Sequence, residues 1–228
     1  MAEFLELSDE SFEECVEIVV SAIRRGEIAV LPTENAYIYA SDAFIHSAVQ
    51  EIHLLRGDAP GTATQVFVGS ARTLRGLSSD FDDECATLVE KFWPGPLTLQ
   101  LKPHHALNWD LGDGGDLGEF AVRSPNLSFL QRVLELTGPL AIASATMAGE
   151  PPVRDMEQVP AMAMDIGVFV DAGILPEGAA STVVRRSIIG VSGGLELVRE
   201  GAISRSELEA ALPTLLPAPL PDNEAVTE

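Results

Sequence analysis

The sequence predicts a mixed α/β fold: one compact domain in which helices pack on a mixed sheet. Two observations predict it. Many short apolar runs of strand length are separated by segments of helical periodicity at irregular intervals, which argues against a regular βαβ repeat. A chain of 228 residues that is 46% hydrophobic can also bury a full core as one unit. The domain is expected to span residues 1–212. From Pro213 the run PTLLPAPLPDNEAVTE loses periodicity and gathers proline and acid, so 213–228 reads as a disordered tail carrying no site.

Phe12, Cys15, Val16, Val19, Val20 and Ile23 recur at helical spacing after a Ser11-to-Glu14 capping pattern, and Gly26 ends the run. IAVLP (28–32) and AYIYA (36–40) read as strands around the turn Thr33-Glu34-Asn35. A second helix runs from Phe44 to Leu55 and stops at Arg56-Gly57. TQVFV (64–68) is a strand, and the next helix begins near Asp80 and ends at the rigid turn Trp93-Pro94-Gly95-Pro96. LTLQL (97–101), EFAVR (119–123), PLAIASA (139–145), IGVFVDA (166–172), STVV (181–184), IIGVS (188–192) and LELVRE (195–200) complete the strands. One helix covers Leu127–Leu136, and a last one opens at Ser204 with a Ser204-to-Glu207 box. The loops His104–Gly118 and Gly149–Pro160 are long enough to be lids or disordered segments.

Composition removes several function classes. No stretch approaches the roughly 20 apolar residues of a membrane span and no signal sequence opens the chain, so a cytoplasmic location is expected. The net charge of −21 repels polyanions and disfavours a broad nucleic-acid surface. Lys91 and Lys102 are the only lysines, so cationic chemistry falls to twelve arginines, whose planar forks suit phosphate contacts. Cys15 and Cys85 fall on apolar helix faces and read as core. The histidines His46, His53, His104 and His105 show no zinc spacing: the first two read as the exposed side of the second helix, and no metal site is expected. No Walker or dinucleotide glycine pattern is present.

Chemistry concentrates at strand ends, where open α/β sheets bind ligands. Thr33, Tyr37, Arg56, Arg123, Ser144, Thr146, Ser181 and Arg199 all lie at or just beyond the end of a predicted strand or helix. Arginines at such positions neutralise phosphates while hydroxyls and backbone N–H groups orient them.

Taken in order, LPTENAY, the Arg56-Gly57 helix end, FWPGPLTL, VRSP, ASATMAG, STVV and LVREGAIS resemble the YrdC family, the threonylcarbamoyl-AMP synthases of transfer-RNA modification. The resemblance covers residues 15 to 206. It implies a twisted α/β sheet with a concave ligand-binding face, and synthesis of threonylcarbamoyl-AMP from L-threonine, bicarbonate and ATP. ATP would act as substrate with Mg²⁺, with no tightly bound cofactor, and the product would be handed to a transfer-RNA threonylcarbamoyl transferase complex that modifies adenosine 37. By the same resemblance Arg56, Ser144 and Ser181 carry the catalysis. Arg56, Arg123, Ser144, Thr146, Ser181 and Arg199 hold ATP, and Thr33 with Tyr37 contacts the threonine and carbamate end.

The departures bear on activity. The family's K-x-R pair reads Arg56-Gly57-Asp58, its S-A-N asparagine is Thr146, and the glycine-leucine step after the tyrosine is Ile38-Tyr39. A carboxylate about 4 Å from a polyphosphate costs several kcal/mol, so Asp58 must point away, bind through a metal or abolish the reaction. Two other readings compete with the enzyme: a catalytically degenerate paralogue that binds nucleotide or a carbamoyl ligand as a regulator, and an RNA-binding member.

Overall fold

Ten strands and six α-helices are present in the computed structural model, which describes residues 2–115, 118–160, 166–187 and 194–216. The strands are β1 (Glu3–Glu6), β2 (Ile28–Pro32), β3 (Tyr37–Asp42), β4 (Gln65–Phe67), β5 (Leu97–Leu101), β6 (Phe120–Arg123), β7 (Leu140–Ser144), β8 (Ile166–Asp171), β9 (Thr182–Ser187) and β10 (Gly194–Arg199). The helices are α1 (Phe12–Arg24), α2 (His46–Arg56), α3 (Ala71–Leu77), α4 (Asp83–Phe92), α5 (Ser128–Thr137) and α6 (Arg205–Ala211).

The strands form one sheet in the order β1-β8-β2-β3-β7-β4-β6-β5-β9-β10. Parallel and antiparallel pairs are mixed: β2 runs antiparallel to β3 and parallel to β8, and β5 runs antiparallel to β6 and parallel to β9. Period-2 alternation sends neighbouring side chains to opposite layers. On β2 and β3, Ala29, Leu31, Ile38 and Ala40 join the core under α1 and α5, while Val30, Tyr37 and Tyr39 face the layer holding α2. Val66, Leu97, Leu99, Phe120 and Val122 pack beneath α4 and α6. Cys15 and Cys85 are buried in these layers as free thiols.

Several expected elements need correction. Ser11 does not cap α1 with its side chain; its hydroxyl donates to the Glu6 carbonyl at 2.6 Å and ties β1 to the helix. α4 starts at Asp83, capped by Asp82, and the short α3, capped by Ser70, precedes it unforeseen. The loop 104–118 is no lid where it is described: Trp109 and Leu111 are core, with Trp109 packed on Phe44 and Phe120. The first tail residues are packed too, for Leu215 is buried and the Leu216 N–H donates to the Leu195 carbonyl. The expected strand 188–192 and residues 217–228 lie outside the described residues. Among the described residues no helix is long and apolar enough to cross a membrane.

Candidate functional site

A cleft of about 920 Å³ opens over the middle strands of the sheet, walled on one side by the C-terminal end of α2. Its floor is apolar: Ile38 from β3, Phe67 from β4 and Ile142 from β7. Around the rim stand Thr33, Arg56, Arg123, Ser144, Ser181 and Arg199, six of the residues singled out at strand and helix ends. The sheet brings them together because β3, β7, β4, β6, β5 and β9 are consecutive neighbours. A smaller cavity of about 370 Å³ near Gly26 and Glu27 gathers none of them.

Arg56 and Asp58 meet through the end of α2. Gly57, at φ 65°, adopts the left-handed conformation; its N–H bonds the Leu54 carbonyl and the Asp58 N–H bonds the His53 carbonyl, which turns the chain back on the helix. The Asp58 carboxylate then accepts from Arg56 Nε at 3.1 Å and lies 2.9 Å from His53 Nδ1. His53 Nε2 sits 2.8 Å from the Leu111 carbonyl, which can only accept, so that nitrogen carries a proton. Arg56 Nη1 donates to the carbonyls of Ser144 (2.6 Å) and Thr146 (3.1 Å). Asp58 therefore stands in the cleft wall with its carboxylate tied into a buried ion network, and Arg56 has spent three donor contacts on the protein. His53 is a member of that network and not an exposed residue of the helix.

Arg123 is also engaged. Its Nη2 donates to Glu34 Oε1 at 2.5 Å and its Nε to the Gly95 carbonyl at 2.9 Å, while the guanidinium lies over the Phe67 ring. Glu34 Oε1 accepts the Asn126 N–H as well. Thr33 closes its own turn, donating to the Ala36 carbonyl and accepting the N–H groups of Asn35 and Ala36.

At the other wall a relay fixes Ser181. Gln65 Nε2 donates to Thr98 Oγ1 at 3.0 Å, Thr98 donates to Ser181 Oγ at 2.8 Å, and Arg199 Nη2 donates to the Ser181 carbonyl at 2.9 Å. Ser181 Oγ is thus an acceptor toward Thr98, which directs its own proton elsewhere. The pairing of β10 with β9 is irregular between Leu197 and Arg199, which re-aims Arg199 at the Ser181 segment.

Tyr37 and Thr146 are not on the rim. Tyr37 is fully buried; its hydroxyl lies 2.9 Å from Asp171 Oδ1 and 2.7 Å from the Gly173 carbonyl, and it accepts the Ala172 N–H. Burial, with Asp171 alongside, pushes its hydroxyl up to about 12. Alternation on β3 is the reason: Ile38 takes the cleft face, so Tyr37 takes the opposite one. Thr146 is buried and contributes its carbonyl to Arg56.

Residues the sequence left unmarked also line the cleft: Thr64, Gln65, Arg154 and Glu177. No local pattern flags them, since Arg154 and Glu177 sit in loops whose placement only the fold decides. Glu34 Oε2 and Thr64 Oγ1 are buried without a hydrogen-bond partner, polar atoms that a ligand can satisfy. Among the described residues no group of three or more His, Cys, Asp or Glu side chains is arranged to hold a metal ion.

The model of the Sua5/YciO/YrdC family, described as telomere recombination, matches residues 21–201. A putative threonylcarbamoyl-AMP synthase of Mycobacterium tuberculosis is 36% identical over 166 residues, 72% of this chain and 76% of its own length. The threonylcarbamoyl-AMP synthase of Bacillus subtilis is 28% identical over 215 residues, 92% of this chain but 60% of its own. The crystal structure of Pyrococcus abyssi Sua5 complexed with L-threonine superposes with a TM-score of 0.80 at 25% identity, covering 96% of this chain and 63% of that one.

Proposed function

This chain belongs to the Sua5/YciO/YrdC family, and from that premise we propose that it is a threonylcarbamoyl-AMP synthase, joining L-threonine, bicarbonate and ATP with release of pyrophosphate. The threonine amine condenses with bicarbonate to a carbamate and water. A carbamate oxygen then attacks the α-phosphorus, and the bond to the β-phosphate breaks with its electron pair leaving on pyrophosphate. A protein accelerates such a step by alignment and by stabilising charge on the phosphoryl oxygens.

One observation supports the reading above all: Arg123, Ser144, Ser181 and Arg199, spread over 77 positions of sequence, surround a single cleft. Within it Arg199 and Ser181 orient phosphate oxygens, and Ser144 with the β7 end positions the α-phosphate. Arg123, which the resemblance assigns to ATP, takes a different role in this reading: held over Phe67 and paired with Glu34, it meets the threonine carboxylate beside Thr33. Mg²⁺ enters as the counter-ion of ATP, keeping phosphate oxygens and water as its main ligands. The adenylate is then passed to a separate transfer-RNA threonylcarbamoyl transferase, in the cytoplasm.

The commitment of Arg56 to Asp58 and two carbonyls favours a second reading, a nucleotide-binding regulator without turnover. Incubation with ATP, labelled bicarbonate and L-threonine separates the two. Threonine-dependent pyrophosphate release with an adduct of threonylcarbamoyl-AMP mass is the expected result; ATP binding with no adduct supports the regulator.

A further inference from the structure

Three of the cleft's arginines carry a carboxylate of the same chain at hydrogen-bond distance, and the three carboxylates differ sharply in exposure. Asp58, on Arg56, is 6% exposed; Glu34, on Arg123, is 25% exposed; Glu177, on Arg154, is 87% exposed. An ion pair in water contributes little and exchanges readily, whereas a buried one whose remaining donors are also used is costly to open. Arg56 is the extreme of the second kind, with Asp58, Ser144 and Thr146 all in contact and His53 behind the carboxylate.

Arg154 is the opposite case. Its Nη1 donates to the Leu175 carbonyl at 3.0 Å and its Nη2 to Glu177 at 3.2 Å, which leaves most of its five N–H groups for another partner. Its backbone is pinned on both sides: the Val153 carbonyl accepts from the Tyr37 N–H at 2.9 Å and the Arg154 carbonyl accepts from the Leu175 N–H at 2.8 Å. The guanidinium is therefore pre-positioned on the cleft wall rather than swinging on a loose loop.

We propose that Arg154, together with Arg199, grips the polyphosphate of ATP, taking the role that the altered Arg56-Gly57-Asp58 segment has left, and that Glu177 is the counter-ion which the phosphates displace. The inference rests on the nucleotide reading of the cleft. It explains how a site whose second motif cation has become a carboxylate keeps positive charge for a tetra-anionic ligand: the charge comes from the facing loop. Charge-assisted contacts from a guanidinium to phosphate are strong enough for one such residue to govern affinity.

Equilibrium titration of the full chain with ATP, pyrophosphate and AMP tests it. Arg154→Gln should weaken ATP and pyrophosphate roughly ten- to hundredfold, the loss of one charge-assisted contact, while AMP changes little. Glu177→Gln should tighten ATP about two- to fivefold by removing the competing carboxylate. Glu177 is exposed and Arg154 partly so, and an unchanged melting curve for each variant certifies the fold. If wild type binds ATP and Arg154→Gln binds it equally well, or loses AMP as strongly as ATP, the assignment is overturned while the nucleotide reading stands. Unchanged or weaker ATP binding by Glu177→Gln overturns the exchange. Failure of wild type to bind ATP or pyrophosphate at all removes the nucleotide reading and this inference with it.

Discussion

Removing the Asp58 carboxylate leaves the Arg56 guanidinium and the His53 ring facing each other in a site where the three side chains are 16%, 14% and 6% exposed for Arg56, His53 and Asp58. Breaking one partner of a buried ion network costs about 3–5 kcal/mol, because the charge that remains has no solvent to replace it. Asp58→Ala is therefore expected to lower unfolding free energy by that order in denaturant titration, and Asp58→Asn by less, since the amide still accepts. A loss under ~1 kcal/mol for Asp58→Ala would mean that the network is not closed. The sequence showed the sign change at this position but not its outcome, since where Asp58 points is decided by the left-handed Gly57 and by His53, which is itself held by the Leu111 carbonyl 58 residues further along the chain. Tyr37 gives a second residue-level test. Its hydroxyl titrates near 12 in the fold against an ordinary value of 10, so between those pH values the folded chain keeps a proton that the unfolded chain loses, and stability falls as pH rises. The contribution is whole below pH 10 and is gone above about 12. Tyr37→Phe should show a shallower decline than wild type across that window, read from melting temperature against pH; parallel curves would place the hydroxyl in solvent-like surroundings.

At the scale of elements, the two helix caps read from sequence met different fates. Ser204 forms its box with Glu207, both side-chain to backbone bonds being present, and Ser204→Ala is expected to cost about 1 kcal/mol. Ser11 has the same spacing to Glu14, but the chain arriving from β1 offers the Glu6 carbonyl, which takes the hydroxyl first. Periodicity made α1, α2, α5 and most strands legible because each buries a face of strand or helix period. It missed α3, whose ARTLRGL buries only Leu74 and Leu77, and β1, whose EFLE buries none of its four residues completely. The cleft was legible as a set of strand ends, yet the loops that close it were not, since Arg154, Glu177 and Ala180 are placed by contacts across the fold. Gly201 shows how tight that closure is. A Cβ there would overlap the carbonyl oxygens of Ala180 and Ser181, so Gly201→Ala must push the Arg199 strand end away from Ser181. A stability loss of about 1–3 kcal/mol with weaker ATP binding is expected in parallel melting and titration measurements, and a variant that binds ATP as wild type does would show that this contact does not set the clamp.

Over the whole molecule, charge and shape decide which partners the cleft admits. The net charge is −21, and the positive groups of the cleft are inset among the carboxylates of Glu34, Asp58 and Glu177. A nucleotide needs to displace only the exposed carboxylate, Glu177, and can leave the more buried pairs of Arg56 and Arg123 closed. A transfer RNA must instead lay many phosphates along a surface, and its binding draws on the release of counter-ions from each one neutralised. Here the net charge of −21 opposes such binding. Filter binding with unmodified transfer RNA at about 50 mM and about 200 mM salt should retain no RNA at micromolar protein in either buffer. Retention at the lower concentration that collapses at the higher would reveal a phosphate-neutralising face despite the charge, and would favour handover on the RNA itself over release into solution.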